Sequence, residues 1–188
     1  MRVLGISGSL RADSHNTMLL RAARELFVPA GAELVPYEEL KAVPPYDEDD
    51  DHRWAQEAVT RLRDAVAGAD AIFISTPEYN SSVPGQLKNA LDWVSRPIAT
   101  NAMRNKPVVV VGASTGMFGA VWAQAELRKV LAAIGARVVE GEVAVGHAGT
   151  RFHEDGRLVD EAIREQLGEV VRLLVEQVHE SARLAAAA

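Results

Sequence analysis

Short apolar runs alternate with amphipathic stretches of helical period along most of this chain. Val3–Ser7 reads as a strand, and Asn16–Val28 as a helix with Leu19, Ala22, Ala23, Leu26 and Phe27 on one face. Ala32–Pro36 follows as a second strand, closed by Pro36. After a proline-bearing loop from Leu40 to Asp51, Arg53–Ala67 has helical period, with Ala55, Val59, Leu62 and Val66 inward. Ala69–Thr76 is apolar throughout, as a strand covered on both faces should be. Pro84–Val94 is a short helix opened by its proline. Pro107–Ala113 contains four consecutive valines, Val108 to Val111, and is the fourth strand. Phe118–Ile134 is helical and ends at Gly135, a C′ position. Arg137–Glu142 is the expected fifth strand and Asp160–His179 the last helix. The alanines at 185–188 should fray.

Five strands separated by helices imply an α/β fold with an open parallel sheet and helices on both faces. Two layouts are common, and a chain this short favours the flavodoxin-like three-layer sandwich with strand order 2-1-3-4-5. Residues 1–182 then form one domain and 183–188 a disordered tail. Ligands of such sheets bind beyond the carboxyl ends of the strands, near the switch point between strands 1 and 3.

The loops at that edge are unusual. Gly8-Ser9-Leu10-Arg11-Ala12-Asp13-Ser14-His15-Asn16-Thr17 joins the first strand to the first helix. Free backbone N–H groups, the helix dipole, several side-chain donors and the charge of Arg11 meet there, as in a phosphate cradle. It lacks the Gly-Lys-Ser/Thr ending of a Walker loop and the glycines of G-x-G-x-x-G. Helix N-caps use the same residue types, so this loop alone serves a capped helix end equally well. Thr76-Pro77-Glu78-Tyr79-Asn80-Ser81-Ser82-Val83-Pro84-Gly85 follows the third strand, and Ser114-Thr115-Gly116-Met117-Phe118-Gly119 the fourth. Either could be an ordinary turn; three specialised loops on one sheet edge point to a site.

Composition narrows the classes. At 188 residues and 48% hydrophobic content the chain can bury a proper core. No apolar run approaches the roughly 20 residues of a membrane span, and the first strand begins too early to leave room for a signal peptide, so a cytoplasmic location is expected. The absence of cysteine excludes disulfides, thiol catalysis and Cys-x5-Arg phosphatase chemistry. A net charge of −6 without a basic stripe argues against nucleic-acid binding. The five histidines show no metal-ligand spacing. The acidic run Asp47–Asp51 reads as a solvated face ahead of a helix rather than a cation site.

Together, Gly8-Ser9-Leu10-Arg11 with Ser14 and Asn16, Pro77-Glu78-Tyr79-Asn80, Pro84-Gly85 and Leu87-Lys88-Asn89-Ala90-Leu91-Asp92-Trp93 resemble the NAD(P)H-dependent FMN reductase family, which includes quinone, azo-dye and chromate reductases. Ser114-Thr115-Gly116, Ala123-Gln124 and Leu127-Arg128 continue the resemblance to about residue 140. It implies FMN as cofactor, with Ser9, Arg11, Ser14, Asn16 and Thr17 at its phosphate. Pro77, Glu78, Tyr79 and Asn80 would lie along the isoalloxazine ring, and Ser114, Thr115 and Gly116 near its pyrimidine edge. Tyr79 would either stack on the ring or pack under its loop. Hydride would pass from NADPH or NADH through flavin N5 to a small acceptor such as a quinone, free flavin, azo compound or chromate, in a ping-pong cycle. No catalytic side chain is required, and Glu78 is not needed as a base because a hydride donor offers it no proton. The resemblance also implies a homodimer or homotetramer. Leu87, Ala90, Leu91, Trp93 and Val94 of one helix, with Phe118, Val121, Trp122, Ala125, Leu127, Val130 and Leu131 of the next, are the expected interface. The competing class is a flavodoxin-type electron carrier with no turnover of its own.

Overall fold

A computed structural model describes residues 1–51 and 56–186. Its strands are β1 (Arg2–Ser7), β2 (Glu33–Pro36), β3 (Ala71–Thr76), β4 (Pro107–Ala113), β5 (Arg137–Val138) and β6 (Ala144–Val145). Its α-helices are α1 (His15–Phe27), α2 (Glu57–Ala67), α3 (Gly85–Val94), α4 (Val121–Ala133) and α5 (Glu161–Ala186). The strands pair in parallel in the order β2-β1-β3-β4-β5, with β6 also on β4. This is the flavodoxin-like arrangement that the alternation of elements predicts.

The apolar strands follow from burial on both faces. Successive side chains point to opposite sides of a strand. Val109 and Val111 therefore join Leu19 and Phe27 of α1 and Leu174 of α5 in one core. Val108 and Val110 join Leu62 of α2, Trp93 of α3 and Leu131 of α4 in the other. With no polar face to preserve, β4 tolerates an unbroken valine run.

Several boundaries differ from the sequence reading. Of the expected fifth strand, Arg137–Glu142, only Arg137–Val138 (β5) is strand, and β6 at Ala144–Val145 lies beyond its end. Between them Arg128 inserts its guanidinium, and Nη2 donates to Val110 O at 3.1 Å and Gly141 O at 2.8 Å. The side chain takes the place of a ladder, and burial lowers the Arg128 pKa, with Glu142 partly opposing. α4 begins three residues later than expected, because Gly119 and Ala120 have φ of 60° and 65°. Its other end is a Schellman turn, with Gly135 N–H on Ala132 O and Ala136 N–H on Leu131 O. α5 continues to Ala186, so residues 183–186 of the expected tail are helical. Arg53 and Ala55, expected in the first turn of α2, lie outside the described residues. In the acidic run, Asp47 accepts a bond from Asp49 N–H, and Asp51 pairs with Arg63 at 2.9 Å.

Candidate functional site

The register of β1, β3 and β4 brings three loops to one edge. Ser7 lies opposite Ser75, and Thr76 opposite Gly112. Gly8 N–H donates to Ser75 O at 2.8 Å, so the first loop stays on the sheet as it departs.

In the first loop, Ser14 is the N-cap of α1 and its Oγ accepts from Asn16 N–H at 3.2 Å. Asn16 is 2% exposed and spans two neighbouring strands. Its Oδ1 accepts from Ala113 N–H at 3.0 Å and from the Ser75 hydroxyl at 2.9 Å, while its Nδ2 donates to Ala113 O at 2.9 Å. Both buried side chains are thus committed to protein partners and brace the loop from below. Thr17 Oγ1 donates to Ser7 Oγ at 3.1 Å, and Ser9 Oγ accepts from Arg11 N–H at 3.3 Å. By contrast, the N–H groups of Ala12 to His15 and of Thr17 find no acceptor among the described residues. Arg11 is exposed and forms no ion pair among them. His15 stacks on Phe152 with ring centroids 5.7 Å apart, and its Nδ1 is buried without a partner. Burial first and the Arg11 charge second lower its pKa, so the imidazole is neutral at pH 7 and Arg11 is the loop's sole cation.

After β3, Pro77 is buried and the chain makes a tight reversal. Tyr79 and Ser82 exchange both backbone hydrogen bonds, at 3.2 and 3.1 Å, around Asn80 and Ser81 with φ of 53° and 59°. Two successive positive φ values define a type I′ turn, where asparagine is favoured. Tyr79 is 51% exposed, which rules out packing beneath the loop. Glu78 turns the other way. Its Oε2 accepts from Trp122 N–H at 3.0 Å and Ala123 N–H at 3.1 Å, capping α4, whose own N-cap Ala120 has no side-chain oxygen. Ser82 Oγ adds a 2.6 Å bond to Glu126 on the same helix.

The loop after β4 rests on a segment the sequence reading left without a role. Ser114 N–H donates to Val145 O at 3.0 Å, Ala148 N–H to Ser114 O at 2.9 Å and His147 N–H to Gly116 O at 2.8 Å. A Cβ at Gly119 would sit 2.3 Å from the Ala144 carbonyl carbon, and one at Gly146 would sit 2.1 Å from Met117 O. Neither position admits a side chain. The glycines at 119 and 146 were visible signals, but their close approach links positions far apart in sequence. Ser114 is half-buried, whereas Thr115 and Gly116 are exposed on the loop.

The two expected interface helices differ. Trp93 is fully buried, donates from Nε1 to Pro44 O at 2.9 Å and packs edge-on to Tyr46. Leu87, Ala90, Leu91 and Val94 are buried with it, so α3 spends its apolar face inside the subunit. On α4, Leu127 and Leu131 of the expected interface are likewise buried inside the subunit, whereas Trp122 is 48% exposed and packs edge-on against exposed Phe118, centroids 4.9 Å apart.

Known proteins share this architecture and sequence. The family model described as NADPH-dependent FMN reductase matches residues 1–150. An NAD(P)H-dependent FMN reductase of Pseudomonas aeruginosa is 39% identical over 175 residues, covering 93% of each chain. A 2-hydroxy-1,4-benzoquinone reductase of a Burkholderia species is 34% identical over 168 residues, 89% of this chain and 90% of that one. The solved structure of FerB, a flavoenzyme NAD(P)H:(acceptor) oxidoreductase of Paracoccus denitrificans, superposes with a TM-score of 0.83 at 32% identity. It covers 95% of this chain and 97% of that one. With the sheet order, the three loops and these likenesses in agreement, the chain belongs to the NADPH-dependent FMN reductase family.

Proposed function

We propose that this protein oxidises NAD(P)H and reduces a small quinone in a ping-pong cycle through one FMN held by the three loops. The observation that carries the reading is the group of unpartnered N–H donors at the start of α1 beside the unpaired cation Arg11. A phosphate monoester carries close to two negative charges, and such a cradle suits it. These residues fit FMN. Ser9, Arg11, Thr17 and the free N–H groups would hold its phosphate; Ser14 and Asn16 would hold the loop rather than the ligand. Bound FMN supplies a two-electron centre that takes hydride at N5 and passes it to an acceptor. Pro77, Tyr79, Asn80, Ser114, Thr115 and Gly116 would border the ring, with Asn80 acting through its turn. Glu78 fixes one ring-side loop against α4 through two N–H bonds to its Oε2, which makes it a positioning residue, and the reaction needs no base because a hydride donor offers it no proton.

Two measurements test this. Purified protein should show flavin absorbance in the visible, and initial rates with NAD(P)H at several quinone concentrations should give parallel double-reciprocal lines. Intersecting lines would replace the shared-site cycle with a ternary complex. Reduction of a protein partner without NAD(P)H oxidation would favour the electron-carrier reading instead.

A homodimer or homotetramer also belongs to this reading, now centred on Phe118 and Trp122 beside the ring-side loops rather than on Trp93. Exposed aromatic pairs are concentrated at interfaces, and self-association closes symmetrically. Light scattering should give two or four times 20.3 kDa. Trp122→Arg should shift that mass toward the monomer and reduce flavin occupancy, whereas Trp93→Arg should unfold the subunit. A monomeric mass for the unaltered holo-protein would overturn the assembly.

A further inference from the structure

Beside the first loop lies a cavity of about 360 Å³, bounded by β1, α1, the end of β2 and the short 3-10 helix Leu40–Ala42. None of its lining residues comes from the loops after β3 or β4. Its size falls at the lower end of small-molecule pockets, which run from about 300 Å³ upward.

The lining divides by chemistry. Leu20, Leu34 and Leu40 are buried and supply an apolar interior. Arg21, Arg24 and Lys41 are exposed and stand at the mouth. Thr17, Arg21 and Arg24 recur at three- and four-residue spacing, which puts them on a single stripe of α1; Lys41 belongs to the 3-10 helix. None of the three cations has a carboxylate partner among the described residues. Glu38 is the lining's single carboxylate. A cationic mouth of this kind is not a consequence of composition, because the chain as a whole carries a net charge of −6. Solvated cations scattered over a surface need no ligand, but these three converge on an apolar pocket.

We propose that this cavity binds a small aromatic carboxylate, distinct from the flavin and its two substrates. The ring would occupy the leucine-lined interior, and the carboxylate would meet the guanidinium and ammonium groups at the mouth. Planar arginine forks favour carboxylates, and the apolar interior disfavours bare inorganic anions. The Tyr37 hydroxyl also lines the cavity, is buried without a hydrogen-bond partner among the described residues, and can donate to or accept from a ring substituent.

Benzoate is the probe, titrated calorimetrically into the FMN-loaded protein at low ionic strength. Saturable binding at millimolar concentration or below is expected. The exposed pair Arg24→Ser and Lys41→Ser should together weaken it by about tenfold or more without lowering Tm, since neither side chain makes a structural bond. A second variant, Leu34→Glu, would place a carboxylate in the interior and should abolish binding. Absence of saturable binding at up to about 10 mM benzoate would overturn the proposal. So would binding indifferent to the double substitution, or binding only to flavin-free protein. Adenosine 2′-monophosphate is titrated in parallel; if it binds with this charge dependence and benzoate does not, the cavity belongs to the dinucleotide and the carboxylate assignment falls. These readouts require no turnover, so they stand apart from the test of the quinone-reducing cycle.

Discussion

Replacing Asn16 with alanine is expected to destabilise the protein by about 3 kcal/mol. Its amide makes three buried bonds, to both backbone groups of Ala113 and to the Ser75 hydroxyl. Each neutral bond contributes roughly 0.5–1.5 kcal/mol, and a buried donor left without a partner costs about 1–3 kcal/mol more. For a chain of this size that corresponds to a fall in Tm of about 6–12 °C. Asn16→Asp should be worse than alanine, because a carboxylate oxygen would face Ala113 O where an N–H₂ group now donates at 2.9 Å. Thermal and urea unfolding of the flavin-free proteins measure this without any contribution from ligand. A Tm within about 2 °C of the unaltered chain would mean that the amide does not hold α1 to the sheet.

Arg11→Ala is expected to act on the ligand and not on the fold. Arg11 is exposed and unpaired among the described residues, so its removal should leave Tm of the flavin-free protein unchanged. FMN affinity should fall by about one to two decades, the equivalent of a charge-assisted hydrogen bond of roughly 1.5–3 kcal/mol. Arg11→Lys should lose less, keeping the charge but not the fork. Higher salt should narrow the gap between the proteins, because the interaction lies at the surface. An unchanged dissociation constant would remove Arg11 from the flavin site. The pair of experiments separates two residues that sit five positions apart: one expected to hold the loop, the other expected to meet the ligand.

The sequence alone carried the architecture. An apolar run such as Val108–Val111 requires cover on both faces, and strands of that kind separated by amphipathic helices lead to a parallel sheet between helical layers. The three specialised loops were legible for a related reason: turn and cap residues act over a few positions, and strand order then puts those turns on one edge. The sequence also implied the family, through motifs that lie within those loops.

What each loop residue does was decided by tertiary structure. Asn16 looked like a cradle donor, but its partners are 97 and 59 positions away and turn its amide inward. Glu78 gave no sign along the chain of its structural partner, a helix start 44 positions on that lacks a local cap. The two tryptophans looked alike at helical spacing; packing buries Trp93 beneath Tyr46 and leaves Trp122 half-exposed. The expected fifth strand stops after Val138, where Arg128 of α4 supplies the donor instead. Periodicity and turn chemistry are properties of neighbouring residues, and so can be read along the chain. A buried polar group must find a partner wherever packing brings one, and that choice exists only once the sheet and its helices have come together.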